Sequence, residues 1–160
     1  MASLPAEPIV RWCALCSILL GKNFIHTATE FLHDLHLDGK TIKTSLRALS
    51  LADQNIDLTN RIEIKRLLAQ NCTDVTRCVA AISDITSGGN MLFRVDEVIT
   101  SGECTSVGEL AVTGRDLIEL GFPPGRELGE ILNKLLDFVI ENPKSNNSET
   151  LLSLVESWKI

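Results

Sequence analysis

Cys13 and Cys16 are two residues apart, with His33 and His36 further on. Two thiolates and two imidazoles of this kind can close a tetrahedron around zinc. Both cysteines fall in an apolar run, where small buried thiols are common and the turn that a zinc finger places between its cysteines is missing, so packing is the simpler account. His33-Asp34 is an adjacent pair of the sort that holds a divalent cation around an attacking water. Such a centre needs further ligands from neighbouring helices, and only His26 and His36 remain to supply imidazoles, so a solvated helix face is expected instead. Gly88-Gly89, followed by Arg94 and Asp96, could bring backbone amides up to a phosphate. No strand precedes the glycines and no paired carboxylates follow, which makes them a helix stop. A serine nucleophile with its His and Asp cannot be assigned from spacing. No metal site and no catalytic residue is therefore expected.

Cationic groups form a better-defined pattern. Lys40, Lys43 and Arg47 recur at i, i+3 and i+7 and share one helix face, turned away from Ile42, Leu46 and Leu49. Arg61, Lys65 and Arg66 follow on the next helix. Residues 40–66 hold six basic and three acidic side chains, a local +3 in a chain of −6. That is a usable patch for phosphate, and equally an ordinary solvated surface.

The elements that position these groups are helices. Apolar residues recur at helical spacing nearly everywhere and no run alternates cleanly, which predicts an all-α protein. After a loop over residues 1–8, held open by Pro5 and Pro8, a first helix at about 9–20 is apolar on nearly all faces and should be the buried centre. Thr27 with Glu30 opens a second helix that runs through Leu35 to a stop at Asp38-Gly39. Further helices are expected at about 40–52, 61–70 (Asn60 with Glu63 as capping box), 74–86 and 91–100. Beyond Gly102 the helices shorten and glycines and prolines multiply, so the chain divides into a helical body domain, 1–105, and a small helical tail domain, 106–160. In the tail, Gly114–Leu120 reads as a short helix capped by Gly121, Pro124 opens a strongly amphipathic helix that Asn142-Pro143 ends, and Asn147-Ser148 caps a last one.

The composition sets limits. The chain has 160 residues, 44% apolar and 22% charged, an ordinary globular balance. A net charge of −6 with pI near 5.0 argues against wholesale polyanion binding, and aromatics at 4% with no tyrosine argue against a base-stacking sheet. The longest apolar stretch, Trp12–Leu20, is far short of the ~20 residues of a membrane helix. Glu7 before it and Gly21-Lys22 after it are wrong for a signal peptide. Five cysteines, an odd number, suit reduced thiols and a cytoplasmic location.

Gly114-Arg115-Asp116-Leu117, then Gly121-Phe122-Pro123-Pro124-Gly125-Arg126-Glu127-Leu128-Gly129-Glu130-Ile131-Leu132, then Asn147, Glu149, Leu151 and Leu152, form one spaced pattern. It resembles the C-terminal end of bacterial CCA-adding tRNA nucleotidyltransferases, with Gly114, Asp116, Gly121, Pro124, Gly125 and Gly129 at the family's motif positions. Upstream, Arg11–Lys22 is similar to a segment that in many members carries a His-Asp pair. Gly21-Lys22 is present here, but Ile18 and Leu19 stand at the His and Asp places, so that metal site is absent.

The family's catalytic head, with its Asp-x-Asp pair, and its neck, with Glu-Asp-x-x-Arg, have no counterpart in this sequence. The resemblance therefore implies a body and tail that dock the tRNA acceptor stem and elbow, inactive in nucleotide addition as this chain alone. Mg2+, CTP and ATP are implied only for a full-length relative, and a separate nucleotidyltransferase head is a possible partner; no membrane is involved. The cations that such docking would use are Lys40, Lys43, Arg47, Arg61 and Lys65 in the body, and Arg115, Arg126 and Lys134 in the tail. The alternative is a stand-alone helical protein-interaction module derived from that family, which the −4 of residues 106–160 would suit.

Overall fold

The computed structural model describes residues 6–54 and 56–158, so most of the expected N-terminal loop lies outside the described residues. Among the described residues there are nine α-helices and no strand, and no helix is long and apolar enough to cross a membrane. The chain divides into two compact units between Ser101 and Gly102.

The first unit holds α1 (Pro8–Gly21), α2 (Ala28–Asp34), α3 (Gly39–Ala52), α4 (Arg61–Gln70), α5 (Thr73–Ser87) and α6 (Met91–Thr100). Its centre is α5, which packs against α1, α3 and α6. Cys78, Val79, Ala80 and Ala81 on α5 are buried with Val10 and Cys13 of α1, Ala48 of α3 and Val95 of α6. Small side chains on α5 let its neighbours approach closely.

Three departures from the sequence reading have physical causes. Pro8 belongs to the helix rather than the loop: it is the first residue of α1, where its missing N–H costs nothing. Second, α1 is not buried all round. Val10, Cys13, Ala14 and Cys16 face the core, while Pro8 and Leu15 are exposed and Trp12 and Leu19 half-buried. Third, α2 stops at Asp34, because His36 takes a left-handed conformation (φ 53°) and donates its N–H to the His33 carbonyl at 2.9 Å. Asp38 does not end α2; its carboxylate caps α3 by accepting from the Thr41 N–H at 3.0 Å.

The second unit holds a 3₁₀ turn (Val107–Glu109), α7 (Gly114–Glu119), α8 (Arg126–Glu141), a second 3₁₀ turn (Pro143–Ser145) and α9 (Ser148–Ser157). Leu117, Leu135, Val139, Ile140, Leu151 and Val155 are buried almost completely. Asn146 ties the first turn to the α8–α9 connection: its amide oxygen accepts from the Ala111 N–H at 2.8 Å and its amide nitrogen donates to the Glu109 carbonyl at 3.0 Å.

Candidate nucleic-acid interface

The α3 face opposite the core carries the three expected cations. Thr41, Ile42, Thr44, Ser45, Ala48 and Leu51 are buried, which turns Lys40, Lys43 and Arg47 outward, all exposed. The Lys40 ammonium lies 2.7 Å from the Asp74 carboxylate, whose hydrogen bond pushes the lysine pKa up. Arg47 donates through Nε to Asn71 Oδ1 at 3.0 Å, and Asn71 in turn donates to the Leu67 carbonyl at 3.2 Å. The guanidinium is thus held against the α4–α5 junction. Lys43 stands between them and, among the described residues, makes no ion pair. Asp74 offsets one of the three charges, so the face remains cationic.

On α4 the pattern divides. Arg61 is exposed, and Arg66 is paired with Glu63 at 2.8 Å. Lys65 is only 2% exposed, next to Ile64, which is buried in the core. Burial to this degree sets Lys65 apart from the exposed cations of α3.

In the second unit Arg115, Arg126 and Lys134 are all exposed, and Arg126 pairs with Glu130 at 2.9 Å. The motif positions there build the scaffold. Asp116 accepts from the Thr113 N–H at 2.6 Å and its hydroxyl at 2.8 Å, starting α7 and holding the Asp116 carboxyl below its ordinary pKa. At the other end Gly121 (φ 92°) donates to the Ile118 carbonyl and Phe122 to the Leu117 carbonyl, a paired C-cap that favours glycine. A Cβ on Gly114 would stand 2.7 Å from Leu128 Cδ2, so this glycine lets α7 approach α8. Pro124 does not begin α8, as expected from its type; the helix starts at Arg126 behind Gly125 (φ 153°). Gly129 differs from Gly114: it is exposed in α8, and among the described residues nothing beyond its own helix backbone lies within 4 Å of the Cβ it lacks.

Residues considered for other chemistry do not converge. Cys13 and Cys16 are buried, with the Cys13 thiol donating to Ser45 Oγ at 3.2 Å, while His33 and His36 are exposed on and after α2. Burial pushes the Cys16 thiol up to about 11, which makes it a poor ligand and nucleophile, while a hydrogen bond with Cys78 holds Cys13 below its ordinary value and raises Cys78. Among the described residues no three His, Cys, Asp or Glu side chains are grouped to hold a metal. After Gly88-Gly89 the amides of Met91 and Leu92 already have an anion, the Asp84 carboxylate, at 2.6 and 3.1 Å. Asp96 is engaged by Arg77. Neither Asp84 nor Arg77 was singled out by local spacing, because their partners lie on another helix.

Two comparisons bear on this arrangement. The family described as tRNA nucleotidyltransferase domain 2 matches residues 8–155. The fold matches a crystal structure of the Bacillus stearothermophilus CCA-adding enzyme in complex with CTP, with a TM-score of 0.65 and 22% sequence identity over 96% of this chain. At that identity the likeness is one of fold. The chain spans 39% of the length of that enzyme. No curated protein matches the sequence.

Proposed function

Because the chain belongs to the tRNA nucleotidyltransferase domain 2 family, we propose that it serves as the tRNA-docking body and tail of a CCA-adding nucleotidyltransferase. In this reading the two units together hold the acceptor stem and elbow, while nucleotide transfer falls to a catalytic head carried elsewhere. Mg2+, CTP and ATP belong to that head: the sequence has no Asp-x-Asp to hold metal on a transferring nucleotide. The observation that carries the proposal is the α3 face, where Lys40, Lys43 and Arg47 stand together in a chain of net charge −6. Duplex RNA is read by shape and phosphate, a task for positioned cations rather than stacking rings. Arg61, Arg115, Arg126 and Lys134 are the secondary contacts, and buried Lys65 is not among them. Gly129 supports the same reading. A glycine inside a helix costs about 1 kcal/mol against alanine, no side chain among the described residues crowds this one, and its bare backbone leaves room for a close approach.

A second reading has its own support. Residues 106–160 hold nine acidic and five basic side chains, and Ile118 and Trp158 stand exposed there. Acidic charge beside exposed apolar groups favours protein contact for the second unit. The salt dependence of tRNA binding separates the two. Neutralising a few phosphates gives a slope of log affinity against log salt of about −3. A slope near zero, or no binding at low salt, contradicts the docking proposal.

A further inference from the structure

The outward face of α1 carries a regular apolar seam. Pro8, Trp12, Leu15 and Leu19 follow one another at spacings of four, three and four, the a/d rhythm of a helix that packs on another helix. Among the described residues that face stays partly open: Pro8 is exposed, Leu15 is 38% exposed, and Trp12 and Leu19 are half-buried. Ala6, Pro8, Arg11, Trp12 and Leu15 line an open cleft of about 280 Å³. A helix apolar on both faces belongs in an interior, and here one face is left over.

We propose that this seam pairs with its own counterpart in a second copy of the chain, the two α1 helices running antiparallel. The seam is complementary to itself in that direction. Setting Trp12 opposite Leu15 of the second copy also sets Pro8 opposite Leu19, so each of the four residues meets an apolar partner. The charges at the ends agree with the same register. Lys22, exposed just past α1, comes beside Glu7 of the second copy, and Glu7 beside its Lys22, whereas a parallel pair would set like charge against like. The Glu7 side chain is half exposed even with Arg77 bound, which leaves it able to accept a second cation. Two helices of this length bury less than the ~800 Å² per partner of a stable complex. The pair is therefore expected to be weak and concentration-dependent.

Sedimentation velocity of the 160-residue chain from about 10 µM to 1 mM tests this. The expected result is a weight-average coefficient that climbs from the monomer value toward the dimer value. Leu15→Glu should hold it at monomer throughout, with helical circular dichroism unchanged. Lys22→Glu, outside the core, should weaken association several-fold and keeps the test valid should Leu15→Glu unfold. A monomer at 1 mM overturns the proposal, as does a dimer indifferent to both substitutions, which would place the contact on another face.

Discussion

Arg77→Ala should loosen the first unit by an amount that its geometry bounds. From the second turn of α5 the guanidinium donates to both Asp96 oxygens on α6, at 2.7 and 3.2 Å, and to Glu7 at the start of α1, at 2.9 Å. One side chain thus fastens three helices. Its side chain is 19% exposed, but Asp96 and Glu7 are 41% and 50% exposed, so after truncation both carboxylates can recover water. The cost should therefore fall below the ~3–5 kcal/mol of stranding a fully buried charge. It should exceed the ~0–1 kcal/mol of a surface pair, since the packed arginine stem is lost as well. About 2 kcal/mol is expected, or a fall in melting temperature of roughly 8–16 °C for a unit of this size.

The chain has two tryptophans, so Trp12 fluorescence in a Trp158→Phe background reports urea unfolding of the first unit alone. Combined with Asp96→Ala, a double-mutant cycle should return a coupling of about 1–2 kcal/mol. The pH dependence has a definite sign. Arg77 holds the Glu7 carboxyl below its ordinary pKa, so this contribution is complete above the unfolded value of about 4.3 and fades as pH falls through the folded one. Parent and variant should therefore draw together in acid. An unchanged midpoint, or a coupling near zero, would refute the clamp.

Two further outcomes follow from burial and capping. Cys72 is the one exposed thiol of the five, so a charged disulfide reagent at neutral pH should titrate one thiol per folded chain and five after denaturation; rapid reaction of more than one would contradict the packing of Cys13, Cys16, Cys78 and Cys104. The Asp116 carboxyl, held low by Thr113, stabilises the second unit at neutral pH, and that support should be lost as pH falls below the ordinary aspartate value of about 3.9; Asp116→Asn should flatten this acid limb, read by Trp158 fluorescence in a Trp12→Phe background, and an unaltered limb would remove the cap from the account.

Much of the fold could be read locally because its helix starts are written in short side chains. Thr27, Asn60 and Asn147 cap α2, α4 and α9 where their types place them. What failed was whatever a distant neighbour decides. Leu35 continues the apolar rhythm of α2, yet the chain turns at His36, which no residue type announces. Lys65 looks like one more surface cation beside Arg66; only the folded chain shows it buried. An all-apolar α1 signals burial without saying how much of it this chain itself provides. The candidate interface was legible on α3 for the opposite reason: Lys40, Lys43 and Arg47 share a face by helix geometry alone, whereas their ties to Asp74 and Asn71 needed the fold.

Docking of tRNA through the α3 face is the central claim, and a titration of labelled tRNA tests it most directly. The parent chain is compared with the Lys40→Glu, Lys43→Glu, Arg47→Glu variant at about 50 and 150 mM salt, with helical content checked by circular dichroism. The account predicts binding at least about tenfold weaker for the variant at the lower salt, and a salt slope shallower by roughly 2–3 as its phosphate contacts are lost. Equal affinity and an equal slope in a fully helical variant would contradict it.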